Sequence, residues 1–175
     1  MLETSTYRLR ALEPEDVVWL HKWENTSSIW WLGSTLTPYS QATLLKFAEG
    51  EHDIYKDKQL RLMLDYKDTE QAWKTMGAVD LYDFDIRNLR AGVGIAIDEA
   101  ERNNGHALAG LNLLHEYAFK HLGLHQLYAE VPADHQPSIN LFQKAEYIDC
   151  ELRKEWVKGT KKWCDVVLFQ LLNRD

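Results

Sequence analysis

The sequence predicts an α+β (mixed α/β) fold on one central sheet, and three observations lead to it. Segments with period-two alternation and segments with helical spacing interleave in the order strand, two helices, three strands, helix, strand, helix, two strands. A mixed order of this kind gathers its strands into one sheet with helices packed on it. The length, 175 residues, is that of one domain, and such a chain buries roughly 70% of its unfolded surface without a disulfide or metal staple. Hydrophobic residues make up 45% and charged residues 27%, with only 9 Gly and 4 Pro, which excludes disordered, collagen-like and low-complexity classes.

In chain order, the alternating stretch TYRLRAL reads as a first strand. Pro14 opens a helix, with Glu15 and Asp16 in the first turn, where carboxylates suit the dipole; Val17, Leu20 and Trp23 or Glu24 continue it. Asn25–Tyr39, with Gly33 and Pro38, reads as a loop. Ser40 is an N-cap candidate for a second helix with Leu44, Leu45, Phe47 and Ala48 on its apolar side. Gln59–Tyr66 and Ala72–Tyr82 form a hairpin around a polar turn, and Ala91–Asp98 is the next strand, with Gly92 and Gly94 marking a bulge or a close backbone approach. Ala107–Leu122 is a helix with Leu111, Leu114, Ala118 and Leu122 on one face, ended by Gly123. His125–Val131 is a strand and Pro137–Lys144 a short helix. Ile148–Val157 and Lys162–Leu172 are strands of a last hairpin turning at 158–161. No repeat or linker divides residues 1–175, so a single domain is expected.

Charge and cysteine content narrow the function. The formal net charge is -7, and without a basic stripe the chain is no nucleic-acid binder; the acidity suits a cationic substrate such as an amine, or solubility alone. No apolar run is long enough to cross a membrane and the N-terminus carries no secretory core, so a reduced, cytoplasmic protein is expected. A hairpin centred on Gly159-Thr160 sets Cys164 opposite Glu155 and Cys150 opposite Phe169, too far apart for a disulfide. His121 and His125 straddle the helix-breaking Gly123 with no carboxylate or thiol completing a tetrahedral set, so no metal is expected. Trp19, Trp23, Trp30 and Trp31 crowd into one region, as a packing cluster or as the wall of a pocket.

The chemistry-bearing segment is Arg102-Asn103-Asn104-Gly105-His106-Ala107, between a strand and a helix. A helix start offers unpaired N–H groups and the positive end of a dipole, Gly allows close backbone approach, and Arg suits phosphate oxygens. That is the recipe for a pyrophosphate cradle. Neither the Walker loop nor the dinucleotide fingerprint is present.

With the Arg-x-x-Gly-x-Ala turn, the helix NLLHEYAFKHLGLHQLYAEV that runs into the next strand, and Pro137-Ser138-Ile139-Asn140-Leu141-Phe142-Gln143-Lys144 in series, the sequence resembles the GNAT family, the GCN5-related N-acetyltransferases. It is most similar to the branch holding ribosomal-protein N-terminal and spermidine acetyltransferases. MGAVDLYDFDIRNLRAGVGIAID looks like that branch's central strands and WVKGTKKWCDVVLFQLL like its last hairpin. The resemblance implies a mostly antiparallel sheet of about seven strands with a splayed pair and about four helices. It implies acetyl transfer from acetyl-CoA to a primary amine by direct attack in a ternary complex, with no enzyme nucleophile. The turn Arg102–Ala107 would hold the CoA pyrophosphate, and the backbone at Val93, Ile95 and Ile97 the pantetheine arm and the thioester oxyanion.

In this family's terms Glu130 is the candidate base, with Asp80, Asp83 and Asp85 competing and Tyr82 as a wall residue. The Tyr that many members use to protonate the departing thiolate is replaced by Phe142, leaving Ser138 as the candidate acid, or as a helix-start residue satisfying backbone donors. His135 stands where Asn usually helps to hold the CoA arm, and Phe142 is expected beside that arm. Glu146-Tyr147 replaces Gly-Phe. These departures keep open a binding module for CoA, an acyl-CoA or a protein. The loop Trp30–Thr37 has no carboxylate, unlike that of spermidine acetyltransferases. A peptide N-terminus, a polyamine, an amino sugar and an antibiotic all remain acceptors, and a homodimer stays open.

Overall fold

The computed structural model describes residues 2–33 and 35–174; Ser34, within the carboxylate-free loop, lies outside them. The strands are β1 (Tyr7–Ala11), β2 (Leu60–Lys67), β3 (Trp73–Asp85), β4 (Arg90–Ile97), β5 (Gln126–Pro132), β6 (Ile148–Lys158) and β7 (Trp163–Leu172). The helices are α1 (Val17–Glu24), α2 (Gln41–Ala48), α3 (Ile54–Asp57), α4 (His106–Glu116) and α5 (Gln136–Lys144). The strands form one seven-stranded sheet in the order β1-β2-β3-β4-β5-β7-β6. Every neighbouring pair is antiparallel except β4–β5.

Local chemistry accounts for the element ends. Pro14–Asp16 starts the first helix as a 3-10 turn closed by a Glu13–Asp16 capping box, and buried Asp16 accepts both Nη atoms of Arg10 at 2.6 and 2.8 Å. Ser40 caps α2 by accepting the Thr43 N–H at 3.1 Å. The one-turn α3, which the sequence reading passes over, exists because Asp53 accepts from Tyr55 and Lys56, and it stops where Lys58 turns left-handed at φ 57°. The expected helix to Leu122 changes character after Glu116: Tyr117–His121 is a π-helical turn, with the Leu122 N–H on Tyr117 O at 3.0 Å.

Two apolar layers flank the sheet. On one face α4 and α5 bury Leu64, Val79, Leu81, Val93, Leu111, Leu114, Leu127 and Phe169. On the other, α1 and α2 cover a smaller cluster of Leu12, Leu20, Leu44, Ala48, Met63 and Ala78.

The feature that positions the site is the seam between β4 and β5. The two strands pair at only three positions, Arg90↔Gln126, Ala91↔Leu127 and Gly92↔Tyr128. Beyond Gly92 they run on unpaired with each other, to Ile97 and Pro132. Exposure along β4 rises in the same direction, from buried Ala91–Val93 to partly exposed Gly94–Ile97. Gly92 stands at the fork: a Cβ there would lie 2.3 Å from Cε2 of Tyr82, whose ring covers the glycine.

The last hairpin is offset from the expected register by two bulges. Leu152 and Arg153 face Val167 and Val166, as a turn at Gly159-Thr160 requires, but Cys164 faces Val157 rather than Glu155. Cys150 sits in a bulge between Asp149↔Phe169 and Glu151↔Leu168 rather than opposite Phe169. Glu155, at φ 49°, supplies the left-handed residue of the second bulge. Both thiols are free. Among the described residues no helix is long and apolar enough to cross a membrane.

Candidate functional site

The open end of the fork meets the turn that starts α4. Asn103 and Gly105 both have positive φ, 64° and 83°, and alternation of this kind curls successive N–H groups toward one point. The first intrahelical bond runs from the Ala109 N–H to Gly105 O at 3.2 Å, so the first-turn N–H groups of His106, Ala107 and Leu108 precede the ladder. Arg102, Asn103, Asn104 and Gly105 are all exposed, and a Cβ on Gly105 would meet no heavy atom within 4 Å. The Arg102 Nε donates to Ile97 O at 3.3 Å, tying the guanidinium to the end of the splayed strand. These residues fit an anionic phosphate group. The His106 side chain does not belong with them: it is buried, its Nδ1 is 3.0 Å from the Tyr7 hydroxyl, and burial lowers its pKa. Only its backbone is available to the cradle.

Below the fork a polar row crosses the sheet on the α1 side. Tyr82, Gly92, Tyr128 and Gln170 are register partners on successive strands, and the Tyr82 and Tyr128 rings meet edge to face at 5.9 Å. Burial raises both phenols; the Tyr128 phenol and Glu130 add to the effect at Tyr82, and Asp83 and Glu130 at Tyr128, which is pushed up to about 12. The next row sets Asp80 against Gly94 in the unpaired half of β4, with Oδ2 3.7 Å from where a Cβ would stand.

The candidate carboxylates are all engaged. Glu130 is exposed on β5 and paired with Arg153 from β6. Asp80 accepts Arg61 Nε and Nη2 at 2.8 and 3.0 Å, and the same guanidinium reaches Glu24 at 2.8 Å. Asp85 caps its own turn through the Arg87 and Asn88 N–H groups. Asp83 is exposed, at φ 49°, beside Tyr128.

At the start of α5, His135 Nδ1 lies 2.8 Å from Ser138 Oγ. Burial and nearby Arg102 lower the His135 pKa, which favours the neutral imidazole. Trp31 meets its ring edge-on at 6.2 Å. His135, Ser138 and Arg102 therefore gather at one end of the fork. Phe142 does not join them. It is 4% exposed, packed edge-on against Tyr147 at 5.0 Å and stacked on Phe169 at 6.1 Å, within the larger apolar cluster. Glu146 takes φ 67°, which explains why a glycine suits that position. The tryptophans divide: Trp19 and Trp23 stack at 5.7 Å against the smaller core, while Trp30 and Trp31 belong to the 3-10 segment Ser27–Leu32.

Sequence reasoning missed Asp98. It is 3% exposed and accepts from Lys22 Nζ at 2.5 Å, Trp23 Nε1 at 3.0 Å and the Ala100 N–H at 3.1 Å. Burial alone would raise its pKa; those donors hold it below the ordinary carboxylate range. Its position just after the glycine-bearing strand was the only available signal. Among the described residues no group of three or more His, Cys, Asp or Glu is placed to hold a metal ion.

The acetyltransferase (GNAT) domain profile matches residues 7–148. The chain belongs to the GNAT family. As a GNAT protein it is an acetyl-CoA-dependent N-acetyltransferase. It is similar to the Escherichia coli K12 spermidine N(1)-acetyltransferase, 26% identical over 159 residues that cover 89% of this chain and 81% of that protein. It is similar to an uncharacterized N-acetyltransferase, p20, of Bacillus licheniformis, at 25% identity over 99% of this chain and 97% of that one. The spermidine N-acetyltransferase of Vibrio cholerae, solved with CoA and spermine, superposes with a TM-score of 0.82 at 22% identity, covering 97% and 96% of the two chains; at that identity the match speaks for the GNAT fold.

Proposed function

We propose that the enzyme acetylates a primary amine which enters from the α1 side of the fork, opposite α4, and attacks the thioester directly in a ternary complex. The observation that carries this reading is the three-position seam between β4 and β5, opening toward the surface turn 102–107. The CoA pyrophosphate would rest on Arg102, Asn103, Asn104, Gly105 and the backbone of His106 and Ala107. The unpaired backbone at Val93, Ile95 and Ile97 would hold the pantetheine arm and donate to the thioester oxyanion.

An alkylamine has a pKa near 10, so a proton must leave before attack. Glu130 takes it, directly or through water. Arg153 from β6 pairs with that carboxylate and fixes its position. Ser138 donates to the departing thiolate while the neutral His135 fixes its rotor. A thiol of pKa near 8.5 leaves readily, so this help is modest.

The reaction is placed in the cytosol, in keeping with two free thiols and an acidic surface. Spermidine heads the acceptor panel because relatives bear its name. Peptide N-termini, amino sugars and amine-bearing antibiotics stay on the panel, since Asp80, Glu24, Glu130 and Asp98 each face an Arg or Lys already and leave no unpaired carboxylate among them to select a polyamine.

Two variants test the reading. Arg102→Ala should weaken CoA binding by about 1–3 kcal/mol, the scale of a lost charge-assisted bond. Glu130→Gln should slow turnover at unchanged CoA affinity and remove the acidic limb of the pH–rate profile. Calorimetry and thiol-release kinetics read both; unchanged values in both variants refute the site.

A further inference from the structure

We infer that Asp98 is a positioning residue that couples the amine side of the cleft to the phosphate turn, so that CoA binding orders α1 and the loop after it. The inference rests on residues 102–107 being the phosphate turn. Asp98 lies just beyond the last residue of β4, and its N–H is held on Met76 O of β3 at 2.8 Å. Its Oδ1 accepts the Ala100 N–H, and its carbonyl accepts the Glu101 N–H at 2.9 Å. Asp98 therefore shapes the 3-10 turn Glu99–Glu101 that delivers Arg102.

Its other oxygen, Oδ2, accepts both Lys22 Nζ and Trp23 Nε1, consecutive residues in the last turn of α1. The next residue, Glu24, anchors the loop beyond α1. Its carbonyl accepts Trp30 Nε1 at 2.7 Å, one carboxylate oxygen accepts the Thr35 hydroxyl at 2.8 Å, and the other accepts Arg61, which holds Asp80 against Gly94. The loop's Trp31 then reaches His135 across the cleft. The segment 22–31 thus runs from the end of β4 to the start of α5, fixed at both ends to groups of the CoA side. A buried carboxylate stripped of its donors is strongly disfavoured, so the Asp98 contacts survive small movements and the two elements shift together. Ordering one then orders the other, and the effect is reciprocal.

Hydrogen exchange of the full chain, with and without saturating CoA, tests this without any acceptor. In the wild type CoA should slow exchange at residues 98–107 and, by about fivefold or more, at residues 20–31. In Lys22→Met/Trp23→Phe the slowing should persist at 98–107 and fall below about twofold at 20–31. Restoring a cation alone, in Lys22→Arg with Trp23 intact, should keep the wild-type ratio. Because each ratio is taken within one protein, a general loss of stability does not imitate the result. Should the double variant fail to fold, Trp23→Phe alone, which removes one N–H donor, should lower the ratio at 20–31. No slowing at 20–31 in the wild type, or undiminished slowing in the variants, overturns the coupling. No slowing at 98–107 in the wild type overturns the phosphate-turn reading itself.

Discussion

The two faces of the sheet are built for different ends. Under α4 and α5, residues such as Leu64, Val79 and Leu81 present a continuous apolar surface. On the α1 side the apolar patch ends at Met63 and Ala78, and the rows beyond it carry Arg61, Asp80, Tyr82, Tyr128 and Gln170. Both faces come from the same strands by period-two alternation. Strand patterning therefore separates stability from chemistry: one face supplies burial, and the other keeps polar groups, held by hydrogen bonds and ion pairs, beside the fork.

The sharpest way to break that contrast is a cavity on the apolar face. Leu114, in α4, is 0% exposed, and Leu114→Ala should cost about 2–5 kcal/mol of unfolding free energy. Calorimetric CoA affinity of the molecules that remain folded should stay unchanged, because α4 meets the turn 102–107, the proposed pyrophosphate cradle, at its other end.

His115 and Tyr147 form a polar pair within the apolar face. Their side chains meet at 3.1 Å, and burial holds the imidazole down to about 4 while it raises the phenol. The unfolded imidazole titrates near 6.5. Between pH ~6.5 and ~4 the unfolded chain therefore binds a proton that the folded chain refuses, and stability falls as pH drops through that window. The loss should be about 3 kcal/mol. Denaturant melts across the window should show it, and His115→Gln should flatten that part of the curve.

Phe142→Tyr separates the faces from another direction. If position 142 belonged to the cleft, a hydroxyl would speed turnover. Because the ring is enclosed by Tyr147 and Phe169, the new oxygen should cost about 1–3 kcal/mol, with no kinetic gain at saturating acetyl-CoA. The smallest effect is expected at Glu146. Its φ of 67° is strained for a side-chain-bearing residue, so Glu146→Gly should raise stability by up to about 1 kcal/mol, read as a higher melting midpoint.

Most of the fold was legible because it rests on local patterns. Alternation marked every strand, and Ser40 and Gly123 marked helix ends correctly. The short α3 was not legible, because its single turn depends on Asp53 folding back on two N–H groups. The register of the last hairpin was not legible either, since bulges at Cys150 and near Glu155 leave no compositional mark. In the candidate site, the left-handed turn before α4 could be read from Gly105, because a backbone motif announces itself in sequence. The side-chain partners could not. Arg153 on Glu130, Arg61 on Asp80, and Lys22 with Trp23 on Asp98 join residues 19 to 76 positions apart. The packing of Phe142 on Tyr147 and Phe169 was not legible either, because its place in the family's motif says nothing about which way the ring turns.

The three-position seam has a consequence for how the molecule comes apart. Strands β1–β4 form one antiparallel block and β5, β7 and β6 another; among the described residues the strands that join them pair at Arg90, Ala91 and Gly92 alone, flanked by the His125 and Gln126 N–H groups on Leu89 O. Cooperative units of partial unfolding track the density of such bonds. The C-terminal block, with β6 exposed along its outer edge, should open below the global unfolding free energy and leave the first block folded. A ligand threaded through the fork would then act as a clamp between two foldons.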